Sequence, residues 1–393
     1  MSNFDQEICR FGTHAVKVMQ CENLDDCKEY IALGLADMDI AVAPVIREAL
    51  HEVVDRSIYG YTSVDAGHTF KKSLKNWLKT RFDQDIEEEW VLYSNSSLEV
   101  LKSVLFAFTQ PGDGVIIQRP VYGHFTQIIE DECHRKVQDA RLLKDDKNYY
   151  TMDFDALEEQ CSNPHNRVMV LCSPHNPVGR VWTAEELNKV LEICRKYDII
   201  LVSDEVHADL TRFGHVHTPI LKLARPTDKV IQIMGIGKTF NCAGLQCANA
   251  IIPNKRLREQ VRYVHGDRGI NPFSLEAQVA AYSEAGAQWL DDLNDYLDET
   301  VRQVEDYFAK ELPQVKISHP EGTYILWFDF SDLGLSPDEI HEQIYNRAKV
   351  ILQDGSHHDP DQGQYFQRMC YPSPRAQIME ACKRIVKAFK EVL

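Results

Sequence analysis

Apolar residues recur along the chain in two alternating rhythms. From about residue 59 to about residue 285, short continuous runs rich in β-branched residues alternate with longer stretches in which apolar positions return every three or four residues. The short runs at 115–118, 168–172, 199–203, 230–234 and 248–252 are uninterrupted, as expected of strands covered on both faces. Such alternation predicts an α/β architecture with a mostly parallel sheet packed between helices. One of those helices is announced by the spacing of a capping box, Thr183 and Glu186, followed by Leu187, Val190, Leu191 and Cys194 at helical period.

Beyond residue 288 the pattern changes. A long acidic helical stretch (Trp289, Leu293, Tyr296, Leu297, Thr300, Val301) leads to a strand at 323–330, and the chain closes in a helix carrying Ile378, Cys382, Ile385, Val386 and Phe389. This predicts a large domain at 46–287 and a smaller α+β domain at 288–393. Residues 1–45, without a strong period of their own, are expected to pack against the C-terminal region or a partner subunit. A length of 393 residues agrees with two domains, because single cores stop growing at about 250 to 300 residues.

Charge narrows the partners. With 43 Lys and Arg against 60 Asp and Glu the net charge is −17, which repels nucleic-acid backbones and anionic lipid, and no cluster of basic residues offsets it. No apolar run has the length a bilayer demands. Eleven cysteines are scattered, and the opening Met-Ser-Asn-Phe-Asp has no apolar export signal, so the expectation is a cytoplasmic protein with reduced thiols. Cys242 and Cys247 lack the second pair that a zinc site needs.

Candidate chemistry stands at the ends of the predicted strands, where open α/β sheets collect ligands. Asn176 lies in the turn-rich loop after 168–172, Asp204 directly follows 199–203, and Lys238 comes shortly after 230–234. Singly, each has an ordinary explanation: a turn residue, a helix cap, a solvated charge. Together, with Lys238 in apolar surroundings, they fit pyridoxal phosphate chemistry: a desolvated lysine forms a Schiff base with an aldehyde, a carboxylate keeps the pyridine nitrogen protonated, and a polar group bonds the ring hydroxyl. Tyr122 has the aromatic face to cover such a ring. Ser96 and Ser97 precede an apolar helical stretch whose free N–H groups suit a phosphate. A nucleotide phosphate loop is excluded, because the glycine it requires five residues before Gly237 is Gln232.

The chain resembles fold-type I pyridoxal phosphate enzymes of the class I/II aminotransferase kind, and within them the MalY/PatB family of carbon–sulfur β-lyases, which includes cystathionine β-lyases. The segments that carry the likeness are Ala36-Asp-Met-Asp39, Tyr59-Gly-Tyr-Thr62, Pro111-Gly-Asp-Gly114, Pro120-Val-Tyr122, Ser173-Pro-His-Asn-Pro-Val-Gly-Arg180, Ser203-Asp-Glu-Val-His-Ala-Asp209, Lys238-Thr-Phe-Asn-Cys-Ala-Gly-Leu245 and Glu321-Gly-Thr-Tyr324. The resemblance implies a mostly parallel seven-stranded sheet, pyridoxal 5'-phosphate as cofactor, an amino-acid thioether as substrate, and a homodimer with shared sites. It implies that Lys238 is the Schiff-base lysine, that Asp204 pairs with the pyridinium, that Asn176 and His207 lie near the ring hydroxyl, and that Tyr122 stacks on the ring. Arg368, assisted by Asn176, Asp37 and Tyr324, is implied to take the substrate, and Tyr61 to reach a neighbouring subunit's cofactor phosphate. An aminotransferase is the alternative activity, and a non-catalytic protein on the same fold ranks below it.

Three departures from the family pattern bear on the site. Gly235 and Gly237 stand where relatives usually carry a phosphate-binding serine, and Ser94-Asn-Ser-Ser-Leu-Glu99 replaces the usual helix-entry segment. Hydroxyls of Ser96 or Ser97 are expected to take over. The loop Asp354-Gly-Ser-His-His-Asp359 is also unusual. Its His357, His358 and Asp359 are expected to be solvated, with a metal site as the alternative.

Overall fold

In the computed structural model, residues 3–19, 27–267 and 269–393 are described. The large sheet is assembled from Val91–Ser94 (β1), Gly114–Ile117 (β2), Lys136–Asp139 (β3), Asn166–Cys172 (β4), Ile200–Asp204 (β5), Val230–Met234 (β6) and Ala248–Ile251 (β7). Among the described residues these seven strands lie in the order β1-β7-β6-β5-β4-β2-β3. β7 alone runs antiparallel to its neighbours, so the sheet is mostly parallel, as expected. All five apolar runs read from the sequence are strands of it. β1 and β3 carried no such signal: β3, Lys-Val-Gln-Asp, is an edge strand that faces solvent in part, and its polar residues break the apolar pattern.

Side chains alternate between the two faces with the period of two that a pleated strand imposes. In β4, Val168 and Val170 enter one core with Val100, Leu101, Val104 and Leu105 of helix Ser97–Phe108 (α1). Met169 and Leu171 enter the opposite core with Leu187, Val190, Leu191 and Cys194 of helix Ala184–Lys196 (α2). The capping box of α2 is present in both halves: Glu186 N–H donates to Thr183 Oγ1 at 3.2 Å, and Thr183 N–H donates to Glu186 Oε2 at 2.8 Å.

A continuous 28-residue helix, Glu284–Glu311 (α3), carries the chain away from the large sheet. It packs with the terminal helix Arg375–Lys390 (α4) over an antiparallel sheet of Lys316–Ser318 (β8), Ile325–Asp329 (β9), Gln353–Asp354 (β10) and Phe366–Cys370 (β11). The N-terminal stretch lies along this smaller sheet. Ile31–Ala32 pairs in parallel with Val350–Ile351, and Cys370 N–H donates to Leu33 O at 2.7 Å. Among the described residues no helix is long and apolar enough to cross a membrane.

Removing the hydroxyl in Thr183→Ala leaves one N–H at the start of α2 without its partner. Urea unfolding is expected to show a loss of about 1 kcal/mol.

Candidate active site

Strand register creates the site. Cys172 pairs with Asp204 across β4 and β5, and Asp204 with Ile233 across β5 and β6, so the loops leaving these three strands open at one edge. There they enclose a cavity of about 210 Å³. Lys238, Asp204, Asn176, Tyr122, His207, Ser96 and Ser97 all line it, so seven of the residues singled out from the sequence meet in one place.

Lys238 and Asn176 are held in place by contacts behind them. Lys238 sits on the short helix Ile236–Thr239, and its Nζ donates to Ala36 O at 2.9 Å. The next residue, Thr239, donates to Asp209 Oδ2 at 3.1 Å, while Trp77 Nε1 donates to Asp209 Oδ1 at 3.0 Å. Asp209 thereby ties the loop after β5 to the lysine turn. Asn176 lies in a turn tied to the smaller sheet: Arg180 Nε and Val181 N–H both donate to Glu321 Oε2, at 2.8 and 2.9 Å. Glu321 and Gly322 N–H in turn donate to Gly179 O, each at 2.8 Å.

Arg368 comes from β11 and is buried beside this group. Its Nη1 donates to Asn176 Oδ1 at 3.3 Å and its Nη2 to Gly34 O at 2.8 Å. Tyr324 donates its hydroxyl to the same Ala36 carbonyl as Lys238, at 3.1 Å. Two expected site residues lie elsewhere. The Asp37 carboxylate is not in the cavity lining and pairs with Arg10 at 2.6 Å, and Tyr61 projects fully exposed from the surface of the single chain. The Gly34 and Ala36 carbonyls were not read from the sequence, because a backbone acceptor leaves no mark in residue type.

Burial sets the electrostatics. It lowers the proton affinity of the Lys238 amine, and Arg368 pushes the same way. It raises the Asp204 carboxyl to about 6, against the pull of Val206 N–H, the Ser97 hydroxyl and Lys238. It pushes His207 down to about 3, so that imidazole is neutral, and its Nδ1 is buried without a partner. A cationic ring nitrogen placed against Asp204 would offset the desolvation that raises it. The neutral His207 and the Asn176 amide offer hydrogen bonds to a ring substituent. Tyr122 supplies an aromatic face, flanked by His124 at 4.9 Å and Phe125 at 5.5 Å. Ser96 caps α1 by accepting Glu99 N–H at 3.1 Å, which leaves its own hydroxyl proton free for an anion.

Residues 28–385 match the model of the aminotransferase class I and II family. The chain belongs to that family. Cystathionine beta-lyase PatB of Bacillus subtilis is 35% identical over 390 residues, which are 98% of this chain and 99% of PatB. Protein MalY of Escherichia coli is 27% identical over 396 residues, the whole of both chains. The crystal structure of cystalysin from Treponema denticola, which contains pyridoxal 5'-phosphate, has a TM-score of 0.93 and 34% identity, covering all of both chains. The resemblance to the MalY/PatB branch therefore holds, and the donor set lining the cavity fits the cofactor of these class I and II relatives.

The loop at 354–359 corrects an expectation. His358 and Asp359 are buried, not solvated. His358 N–H pairs with Gly355 O, its carbonyl accepts Val121 N–H at 3.2 Å, and Arg141 Nη2 donates to Asp359 Oδ1 at 3.0 Å. The loop docks on the segment before Tyr122 because Gly123 is small: a Cβ there would stand 2.0 Å from His357 O. Among the described residues no group of three or more His, Cys, Asp or Glu is placed to hold a metal.

The two glycines before Lys238 differ in kind. A Cβ on Gly235 would meet Cys247 O at 2.5 Å, where the backbone entering β7 fills the space a side chain would take. On Gly237 it would meet Ala243 Cα at 3.4 Å, an ordinary contact. Gly235→Ser is expected to cost about 2 kcal/mol in urea unfolding of the cofactor-free protein, and Gly237→Ser less than about 0.5 kcal/mol.

Asp204 makes stability depend on pH. A carboxyl raised from 3.8 to about 6 binds more protons folded than unfolded between those values, so its contribution to stability falls as pH rises through that window. Cofactor-free Asp204→Asn should therefore melt above the wild type at neutral pH, with the difference vanishing near pH 4, as thermal denaturation across pH will read.

Proposed function

We propose that this protein is a pyridoxal 5'-phosphate-dependent carbon–sulfur β-lyase, cleaving an L-cysteine thioether such as cystathionine to pyruvate, ammonia and a thiol. The observation that carries this reading is the meeting in one cavity of a desolvated amine, Lys238, with a buried carboxyl of raised pKa, Asp204, next to a buried Arg368. The PatB and MalY relatives favour elimination over transamination.

When bound, the cofactor supplies an aldehyde and an electron-withdrawing ring that makes the substrate's α-proton acidic. Asp204 keeps a proton on the ring nitrogen. Asn176 and His207 would hold the ring hydroxyl, Tyr122 would cover the ring, and the Ser96 hydroxyl with the N–H groups at the start of α1, the Ser97 N–H among them, would hold the phosphate. Arg368 grips the α-carboxylate through two parallel hydrogen bonds, and Asn176 and Tyr324 fix its orientation. The Lys238 amine, already biased toward its neutral form by burial, takes the α-proton as general base. The thiolate then leaves from the β-carbon.

The working form is a homodimer. Ile58, Tyr59 and Tyr61 form an exposed apolar stretch on the single chain, and Tyr61 is the side chain offered to the partner's cofactor phosphate.

Purified protein incubated with pyridoxal 5'-phosphate and L-cystathionine should release pyruvate and free thiol without any added keto acid. Product formed only when a keto acid is supplied would replace the lyase with an aminotransferase. Lys238→Ala should abolish both turnover and the visible absorbance of the bound cofactor, and Arg368→Ala should raise KM more than it lowers kcat.

A further inference from the structure

A single bent stretch, residues 33–39, lies between the cavity and the N-terminal arm, and it is engaged on both sides. Two of its carbonyls face inward: Gly34 O accepts Arg368 Nη2 at 2.8 Å, and Ala36 O accepts both Lys238 Nζ at 2.9 Å and the Tyr324 hydroxyl at 3.1 Å. Its carboxylates face the arm. Arg10 spans two of them, with Nη1 2.6 Å from Asp37 Oδ2 and Nε 2.6 Å from Asp39 Oδ1. Lys17, a buried lysine, places Nζ 2.6 Å from Asp39 Oδ2 and 3.0 Å from Asp37 O, and Ser373 donates to Asp39 Oδ2 at 2.8 Å.

Neither Gly34 nor Ala36 has a side chain with which to anchor its own carbonyl. Each carbonyl goes where the flanking attachments put it. Upstream, Leu33 is fixed to the smaller sheet through Ile351 O and Cys370 N–H. Downstream, Asn241, three residues past Lys238, holds Met38 and Ile40. Asp39 is held further by the Ser373 hydroxyl and by its own N–H on Pro372 O, and the arm adds the Arg10 and Lys17 contacts to Asp37, Met38 and Asp39.

We propose that Arg10 and Lys17 are positioning residues of the active site: they clasp Asp37 and Asp39, and so place the Ala36 and Gly34 carbonyls that orient the Lys238 amine and the Arg368 guanidinium. Neither residue lines the cavity. The clasp acts through backbone, and the guanidinium suits it because one planar fork reaches both carboxylates, which an ammonium does not. The inference rests on the roles proposed above for Lys238 and Arg368.

Arg10→Gln removes the fork and leaves Lys17 and Ser373 on Asp39, so it tests placement with little risk to folding. In the full-length protein loaded with pyridoxal 5'-phosphate, kcat/KM for L-cystathionine should fall about tenfold, mostly through KM, and the cofactor's induced circular dichroism should change. In the cofactor-free protein, Lys238 should react several-fold faster with acetic anhydride, as read by peptide mass spectrometry. Arg10→Lys, which keeps one ion pair, should restore part of each loss. Wild-type KM, dichroism and acylation rate in Arg10→Gln overturn the inference whether or not Tm falls, since a purely stabilising clasp would move Tm alone. Should the wild type lack both lyase activity and bound-cofactor absorbance, it is the proposed function that fails. The acylation rate needs no cofactor and still judges the clasp.

Discussion

Taking a lysine amine out of water is costly in its charged form, and the architecture around Lys238 is arranged to bear that cost at one point. The amine stands on a one-turn helix after β6, against a neutral backbone carbonyl, with Asp204 across the cavity on the neighbouring strand. Desolvation favours the neutral amine and the protonated carboxyl together. Both groups are thereby left with an unmet demand that a bound aldehyde and a cationic ring satisfy. A site of this kind gives up stability in the empty protein so that binding can recover it.

The supporting contacts join distant segments of the chain at the site. Asp209 joins the loop after β5 to Thr239, and Glu321 joins the Asn176 turn to the smaller sheet. Arg368 reaches across to Asn176 from β11. Each of these contacts joins parts of the chain at least 30 residues apart. The motifs are therefore halves of contacts, and a change in one half leaves a buried polar group without its partner, which is far more expensive than losing a surface bond.

Departures from the family pattern follow the same logic of space. Gly235 is occupied ground, since the Cys247 carbonyl stands where its side chain would be, whereas Gly237 is open. Gly123 admits the loop that carries His357, and that loop is then locked by Arg141 on Asp359 and by the backbone pairing of His358 with Val121. The unusual sequence at 354–359 is thus a packed joint between the smaller sheet and the segment bearing Tyr122, and His358 owes its burial to that packing.

The amino-acid sequence alone determined five of the strands of the central sheet, because runs such as 168–172 and 230–234 are apolar on both faces, and that pattern has few other uses. It also determined that α2 begins at Thr183, since a capping box is local chemistry. Lys238, Asp204 and Asn176 were legible because each follows such a strand, and strand ends in an α/β sheet converge. Only tertiary structure decided the rest. It turned Asp37 away from the cavity to Arg10, buried His358, and recruited the Gly34 and Ala36 carbonyls. These outcomes depend on which backbones come close in space, and neither a carbonyl's direction nor the room beside a glycine is encoded in the residue that carries it.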